Sequence, residues 1–307
     1  MPAQRDDMRS LVFHPPLSQD LQDFLHALAT DSSLFEPQRL RDRLDALDTL
    51  DARLGAFEAG ELSTDSARVF GDAQAIRSRL EAANYVLYES IRTEIARGAP
   101  PEKLLHWLRA SASADDTASP VPGLGYDHCD DLVSGVLQLR EPGEPHLQPL
   151  PEMVFYQPTP VRHILHLITA TALSKDDVFV DLGSGLGHVA LLLFMLAGAQ
   201  SVGIEIEPAY VASARACAHT LRLSGVRFLH EDARAADLSN GTVFYLYTPF
   251  SGSILAAVLH RLRNESARRP IRIGSLGPCT ASLSKESWLE PAAPPDPMHI
   301  SVFRSRS

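Results

Sequence analysis

Hydrophobic residues change their period along this chain of 307 residues. Through residues 18–110 they recur at helical spacing, with almost no strand signal. Leu40, Leu44, Leu47, Leu50 and Leu54 follow one another at steps of four, three, three and four, which draws one stripe on one helix face. Phe70, Ala73, Ile76, Leu80, Ala83 and Leu87 repeat the pattern behind a Ser63-Thr64-Asp65 start signal. Pro100-Pro101 ends that helix, and a short KLLHWL segment follows. These stripes predict the core of a small all-helical N-terminal domain over 1–110. A coiled-coil seam would need more heptads than the segment holds.

Residues 111–153 read as a linker with short strand or helix elements. Its ends are SASADDTASPVPGLG (111–125) and the Pro-rich EPGEPHLQPLPEM (141–153). Between them, YDHCDDLVSGVLQL reads as a solvated acidic edge beside a strand. His128 and its acids have no second His/Cys pair at ligand spacing, so no metal site is predicted.

From residue 154 to 307 the pattern alternates between strand and helix. Strands are predicted at 178–183, 201–206, 226–231, 242–247 and 271–276, with a last one from 299. Helices are predicted at roughly 160–172, 187–198, 208–224 and 252–266. Strand–helix alternation with short loops means an α/β fold built on a parallel sheet, because each parallel pair needs a crossover. A terminal strand with no helix behind it inserts antiparallel.

Charge and composition narrow the function. The net charge of −10 is concentrated in residues 1–150, where 25 acids face 14 bases, while residues 151–307 carry 13 acids and 14 bases. No dense Lys/Arg cluster is present, which argues against nucleic acid as a partner. Three well-separated cysteines, Cys129, Cys217 and Cys279, suit a reducing compartment rather than a disulfide framework. The N-terminus lacks a signal-peptide layout, and the longest apolar run, 189–199, is about half of a membrane span. A cytoplasmic protein with no membrane partner is expected.

The candidate chemistry lies at the predicted strand ends. VFVDLGSGLGHVALLLF (178–194) carries Asp181, then Gly183, Ser184, Gly185 and Gly187, then an apolar helix. A dinucleotide fingerprint has two residues before its third glycine, and this loop has one. The glycines let the backbone approach a ligand at a helix N-terminus, and Asp181 offers a carboxylate to a ligand cation. Glu205 lies 22 residues beyond Gly183, near the spacing at which an acid takes a ribose diol. Asp232, after the third strand, offers an acceptor to an adenine amino group. Together these ends predict a nucleoside-cofactor site. His163, His188 and His230 have no visible partner acid and stay outside it.

Val178 to Gly187 followed by Gly203-Ile204-Glu205 resembles motif I and the next acidic motif of the class I S-adenosylmethionine (SAM)-dependent methyltransferases. The resemblance implies a Rossmann-like, mostly parallel seven-stranded sheet with an antiparallel last strand. It also implies that Gly183, Ser184, Gly185 and Gly187 line the methionine part of SAM, with Asp181 near its amino group. Glu205 and Ile206 would then hold the ribose, and Asp232 with Ala233 the adenine. The product would be S-adenosylhomocysteine (SAH). DLGSGLG and the preceding Tyr156-Gln157-Pro158-Thr159-Pro160 are also similar to the disruptor-of-telomeric-silencing family of histone lysine methyltransferases and its bacterial and mitochondrial protein-lysine relatives. There the segment carrying Tyr156 and Thr159 closes over SAM. The resemblance covers about 150–262 and does not reach the helical first third.

Two departures bear on the acceptor. The basic surface expected for nucleosomes is lacking, and Tyr247-Thr248-Pro249-Phe250 stands where the histone enzymes place an Asn before an aromatic. Tyr156, Tyr247, Thr248 and Phe250 are predicted to form the acceptor pocket, the aromatics facing a cationic methyl and a lysine-like amine. The expected activity is methyl transfer to a protein side chain or small molecule, with the N-terminal helices shaping access. An NAD(P)-dependent oxidoreductase and a non-catalytic SAM-binding scaffold are the alternatives.

Overall fold

A buried arginine sets the face on which the N-terminal helices pack. The computed structural model describes residues 19–55, 64–112, 125–140, 152–154 and 156–306. Ser63 of the start signal, the N-terminal residues 1–18 and most of both Pro-bearing stretches (113–124 and 141–151) lie outside them. The chain divides into two units, Met1–Val86 and Leu87–Ser307.

In the first unit, α1 (Gln19–Thr30) and α2 (Leu40–Leu54) are joined by 3₁₀ turns at Ser32–Phe35 and Pro37–Arg39, and α3 (Thr64–Ala96) follows, its residues from Leu87 counting to the second unit. The buried face of α2 is Leu40, Arg43, Ala46, Leu50 and Leu54, one step round from the predicted leucine stripe, with Leu44 and Leu47 only partly covered. Arg43 donates Nε–H to Asn84 Oδ1 at 2.6 Å and Nη1–H to the carbonyls of Leu34 and Glu36 at 2.7 and 2.6 Å. On α3 the buried line correspondingly runs Val69, Ala73, Ile76, Leu80 and Asn84, rather than through Phe70 and Ala83. Periodicity located these helices, but a polar pair chose their packed faces.

In the second unit, α4 (Pro101–Ser111) and α5 (His128–Leu137) precede α6 (Val161–Thr171). The acidic stretch expected beside a strand is helix α5 instead. Asp127 caps it, Asp130 completes a capping box, and Cys129, Leu132, Val133, Val136 and Leu137 form its buried face. Among the described residues no group of three His, Cys, Asp or Glu is placed to hold a metal ion, and no helix is long and apolar enough to cross a membrane.

The sheet contains β1 (Val178–Leu182), β2 (Gln200–Glu205), β3 (Val226–His230), β4 (Val243–Tyr247), β5 (Arg272–Leu276), β6 (Leu289–Pro291) and β7 (Ser301–Ser305). Its order is β3-β2-β1-β4-β5-β7-β6. The first five strands run parallel, and β7 pairs antiparallel with both β5 and β6. The fold is thus α/β, with the expected mostly parallel seven-stranded sheet following a helical N-terminal segment in the chain. The crossover helices are α7 (His188–Ala197), α8 (Pro208–Thr220) and α9 (Gly252–Ser266). Two short elements went unpredicted, β6 and α10 (Cys279–Leu283), each too brief for a period to register. One face of the sheet packs Val180, Leu182, Phe244 and Leu246 against Ile254, Leu255, Val258 and Leu259 of α9. Strand order reverses between β1 and β4, so a crevice opens at their carboxyl ends.

Candidate active site

The crevice is a cavity of about 750 Å³ bordered by the ends of β1 to β5. At the end of β1, Gly183 and Gly185 hold φ of +84° and +52°, a region that side chains strain to enter. A Cβ on Gly183 would collide with Pro249, and one on Gly185 with the Tyr156 ring. Both glycines are therefore required by protein neighbours that cross the loop. Gly187 precedes α7 and packs on Phe228. Ser184 lines the cavity, and its buried Oγ has no hydrogen-bond partner among the described residues.

Asp181 is buried at the same edge, and its carboxyl makes no hydrogen bond among the described residues. Burial, and then the nearby Glu205 carboxylate, push its pKa up to about 8. Glu205 ends β2 and accepts three backbone N–H groups, from Gly185 on Oε2 and from Ile206 and Glu207 on Oε1, each at 2.8 Å. Burial raises its pKa, and those hydrogen bonds oppose the rise. Beyond β3, Asp232 is paired with Arg234, whose Nη2 lies 2.6 Å from Oδ2. That pairing holds the Asp232 carboxyl below the usual carboxylate range.

Residues 152–154 and 156–159 strap the cavity. Met153 bridges Phe250, Val154 donates its N–H to the Pro249 carbonyl at 3.2 Å, and Glu152 accepts from Ile254 N–H at the start of α9. Thr159 Oγ1 lies 3.1 Å from the buried Tyr245 hydroxyl. Between these anchors the Tyr156 hydroxyl lies 2.7 Å from His188 Nδ1.

At the end of β4, Thr248 adopts φ of +38°, unusual for a β-branched residue. Its hydroxyl donates to the Leu276 carbonyl at 2.9 Å and accepts from Cys279 N–H at 3.1 Å, which locks the β4 and β5 turns together. Tyr247 Oη is buried without a partner among the described residues, and burial pushes its pKa up to about 12.

Of the residues named from the sequence, Tyr156, Thr159, Asp181, Gly183, Ser184, Glu205, Ile206, Asp232, Ala233, Tyr247, Thr248 and Phe250 all line this cavity. Gly185 and Gly187 do not, although the Gly185 amide reaches the Glu205 carboxylate. Sequence reasoning missed His188, Tyr210, Tyr245 and the turn Leu276-Gly277-Pro278, which joins Pro297 through the 2.8 Å hydrogen bond from Gly277 N–H to the Pro297 carbonyl. For His188 a signal existed, because the residue after the last loop glycine opens the helix that borders the cavity. His163 is buried edge-on to His299, and His230 meets the Ile206 carbonyl at 3.0 Å. Neither lines the cavity.

Comparison with known proteins addresses the same region. Residues 153–231 match the family profile described as histone methylation protein DOT1. No curated protein matches the chain. Among solved structures, an RNA methyltransferase from Salinibacter ruber in complex with SAH is 27% identical, with a TM-score of 0.38 over 48% of this chain and 92% of that one. A precorrin-6y C5,15-methyltransferase from Geobacter metallireducens is 17% identical, with a TM-score of 0.38 over 50% and 93%. A SAM-dependent methyltransferase from Geobacter sulfurreducens in complex with SAH is 25% identical, with a TM-score of 0.30 over 37% and 47%. The profile match runs from the strap through the glycine loop to the end of β3, the stretch that borders the cavity at the point where strand order reverses. On that match and that topology, residues 153–231 form the matched part of a Rossmann-like SAM-dependent methyltransferase.

Proposed function

We propose that the protein transfers the methyl group of SAM to an uncharged acceptor, an amine that enters deprotonated or a neutral small molecule. The observation that carries this reading is the division of charge across the cavity. Its lining carboxylates, Asp181, Glu205, Glu207, Glu231 and Asp232, all lie in the last residues of β1 or β2 or just after β2 or β3. The ends of β4 and β5 contribute Tyr247, Pro249, Phe250, Leu276 and Pro278, and no carboxylate among the described residues.

The acidic half fits the donor. A buried carboxyl without a partner, held up to a pKa of about 8, is a site that a ligand ammonium would relieve. We assign Asp181 to the SAM amino group, Glu205 with Ile206 to the ribose, and Asp232 with Ala233 to the adenine. Gly183 and Ser184 line the methionine end, Gly185 holds the loop to the Glu205 carboxylate, Gly187 seats α7, and Tyr156 and Thr159 belong to the strap. When bound, SAM supplies an electrophilic methyl on a sulfonium, whose leaving group is neutral and needs no acid.

The apolar half fits the acceptor. Tyr156, Tyr247, Thr248 and Phe250 are assigned to it, Thr248 by holding the turn. A hydroxyl with a pKa near 12 is no base at neutral pH, so an amine must arrive already neutral. Burial in apolar surroundings favours that form and excludes water. Alignment then does most of the work.

The test is incubation of the protein with methyl-labelled SAM and cell extract, with the labelled acceptor identified by mass. Calorimetric titration with SAM, SAH and NAD runs beside it. Binding of SAM and SAH without a response to NAD, followed by label on an amine or neutral molecule, is the expected result. No transferred label under any condition would sink the enzymatic reading.

A further inference from the structure

Tyr156 is held from three sides. Its ring fills the space that a Cβ on Gly185 would occupy, and it lies 5.2 Å from the Tyr210 ring, in the first turn of α8. Its hydroxyl lies 2.7 Å from Nδ1 of His188, the first residue of α7, with the two rings 22° from parallel. The strap carrying Tyr156 is pinned to the β4 turn at Met153 and Val154 and to Tyr245 at Thr159. The Tyr156–His188 hydrogen bond thus ties the middle of the strap to the helix behind the glycine loop. Both residues line the cavity, so a molecule held there beside the loop borders this link. Burial holds the His188 pKa down to about 4, which keeps the ring neutral near pH 7, so the two groups share one proton.

We propose that His188 is a positioning residue that latches Tyr156 across the glycine loop and thereby slows release of the bound cofactor. This rests on the loop being the SAM site, as proposed above. A pre-ordered strap places its cost in folding rather than in binding, so loss of the latch acts mainly on dissociation.

The test is the dissociation rate of SAH from the whole chain, by stopped-flow displacement, in wild type, His188→Ala, His188→Asn, Tyr156→Phe and His188→Ala/Tyr156→Phe. His188→Ala and Tyr156→Phe are each expected to speed release roughly three- to tenfold, the worth of one net hydrogen bond. The double variant should be no faster than either single one, because one link is lost once. Asn carries polar atoms near the place of Nδ1 and should restore slow release. Unchanged rates in both single variants, or fully additive effects in the double variant, overturn the latch while leaving the cofactor site standing. If His188→Ala does not fold, Tyr156→Phe, which keeps the ring on Gly185, still decides by its rate. Failure of the wild type to bind SAH overturns the latch and the cofactor reading together.

Discussion

Gly185 N–H and Glu205 Oε2 meet at 2.8 Å, which ties the loop after β1 to the end of β2. The same carboxylate accepts the amides of Ile206 and Glu207, so the group assigned to the ribose is also a brace of the fold. Read from the sequence alone, Glu205→Ala costs SAM affinity in an intact fold. The structure adds a stability loss, because three backbone donors lose their acceptor at once. Glu205→Ala is expected to weaken SAH binding about a hundredfold and to lower unfolding free energy by about 2 kcal/mol. Calorimetry and a denaturant melt measure the two effects, and an unchanged melt would show that the brace contributes nothing.

Asp181 supplies the pH dependence. Its folded pKa of about 8 stands above the ordinary 3.8, raised first by burial and then by Glu205. Between those values the native state keeps a proton that the unfolded chain has released. This group's stabilisation is therefore complete below its unfolded pKa and is lost as pH rises through the folded one. Asp181→Asn should flatten that fall in denaturant midpoints across the window. A ligand ammonium needs the carboxylate, so SAM binding at neutral pH should expel a proton from Asp181. The binding heat then varies with the ionisation enthalpy of the buffer in wild type, and less so in Asp181→Asn.

Tyr247 separates a packing role from an acceptor role by sign. Its buried hydroxyl has no partner among the described residues, so Tyr247→Phe should stabilise the free protein by about 1 kcal/mol. If the hydroxyl orients the acceptor, the same change should lower kcat/KM about tenfold. A more stable variant with full activity would leave Tyr247 as a wall of the cavity and nothing more.

Arg43 makes the first unit sensitive to one side chain. Arg43→Ala leaves Asn84 Oδ1 and the Leu34 carbonyl without their buried donor and opens space beside Leu40 and Leu50 on the α2 face. A loss of about 3 kcal/mol is expected, read as the shift of a helical unfolding transition by circular dichroism. Arg43→Lys should recover only part of it, since an ammonium donates from one nitrogen and cannot meet Asn84 and the two carbonyls from separate positions as Nε and Nη1 do.

The local half of this protein is legible in residue order. Turn signals and apolar periods predict helices at about 160–172 and 208–224, found at 161–171 and 208–220, and the strands that carry or precede Asp181, Glu205 and Asp232, because each depends on neighbours within a few residues. The loop's spacing was enough to turn the reading away from a dinucleotide. What the sequence could not convey depends on distance in the chain. Arg43 reaches Asn84 across 41 positions and rotates a helix face that leucine counting had set elsewhere. Thr248 turns its hydroxyl to Leu276 and Cys279. His188, plain at the start of an apolar helix, becomes a partner of Tyr156 only when the strap crosses the loop. Periodicity reports which side of an element meets the core, whereas the partner of a buried polar atom is chosen by which elements the sheet order brings side by side.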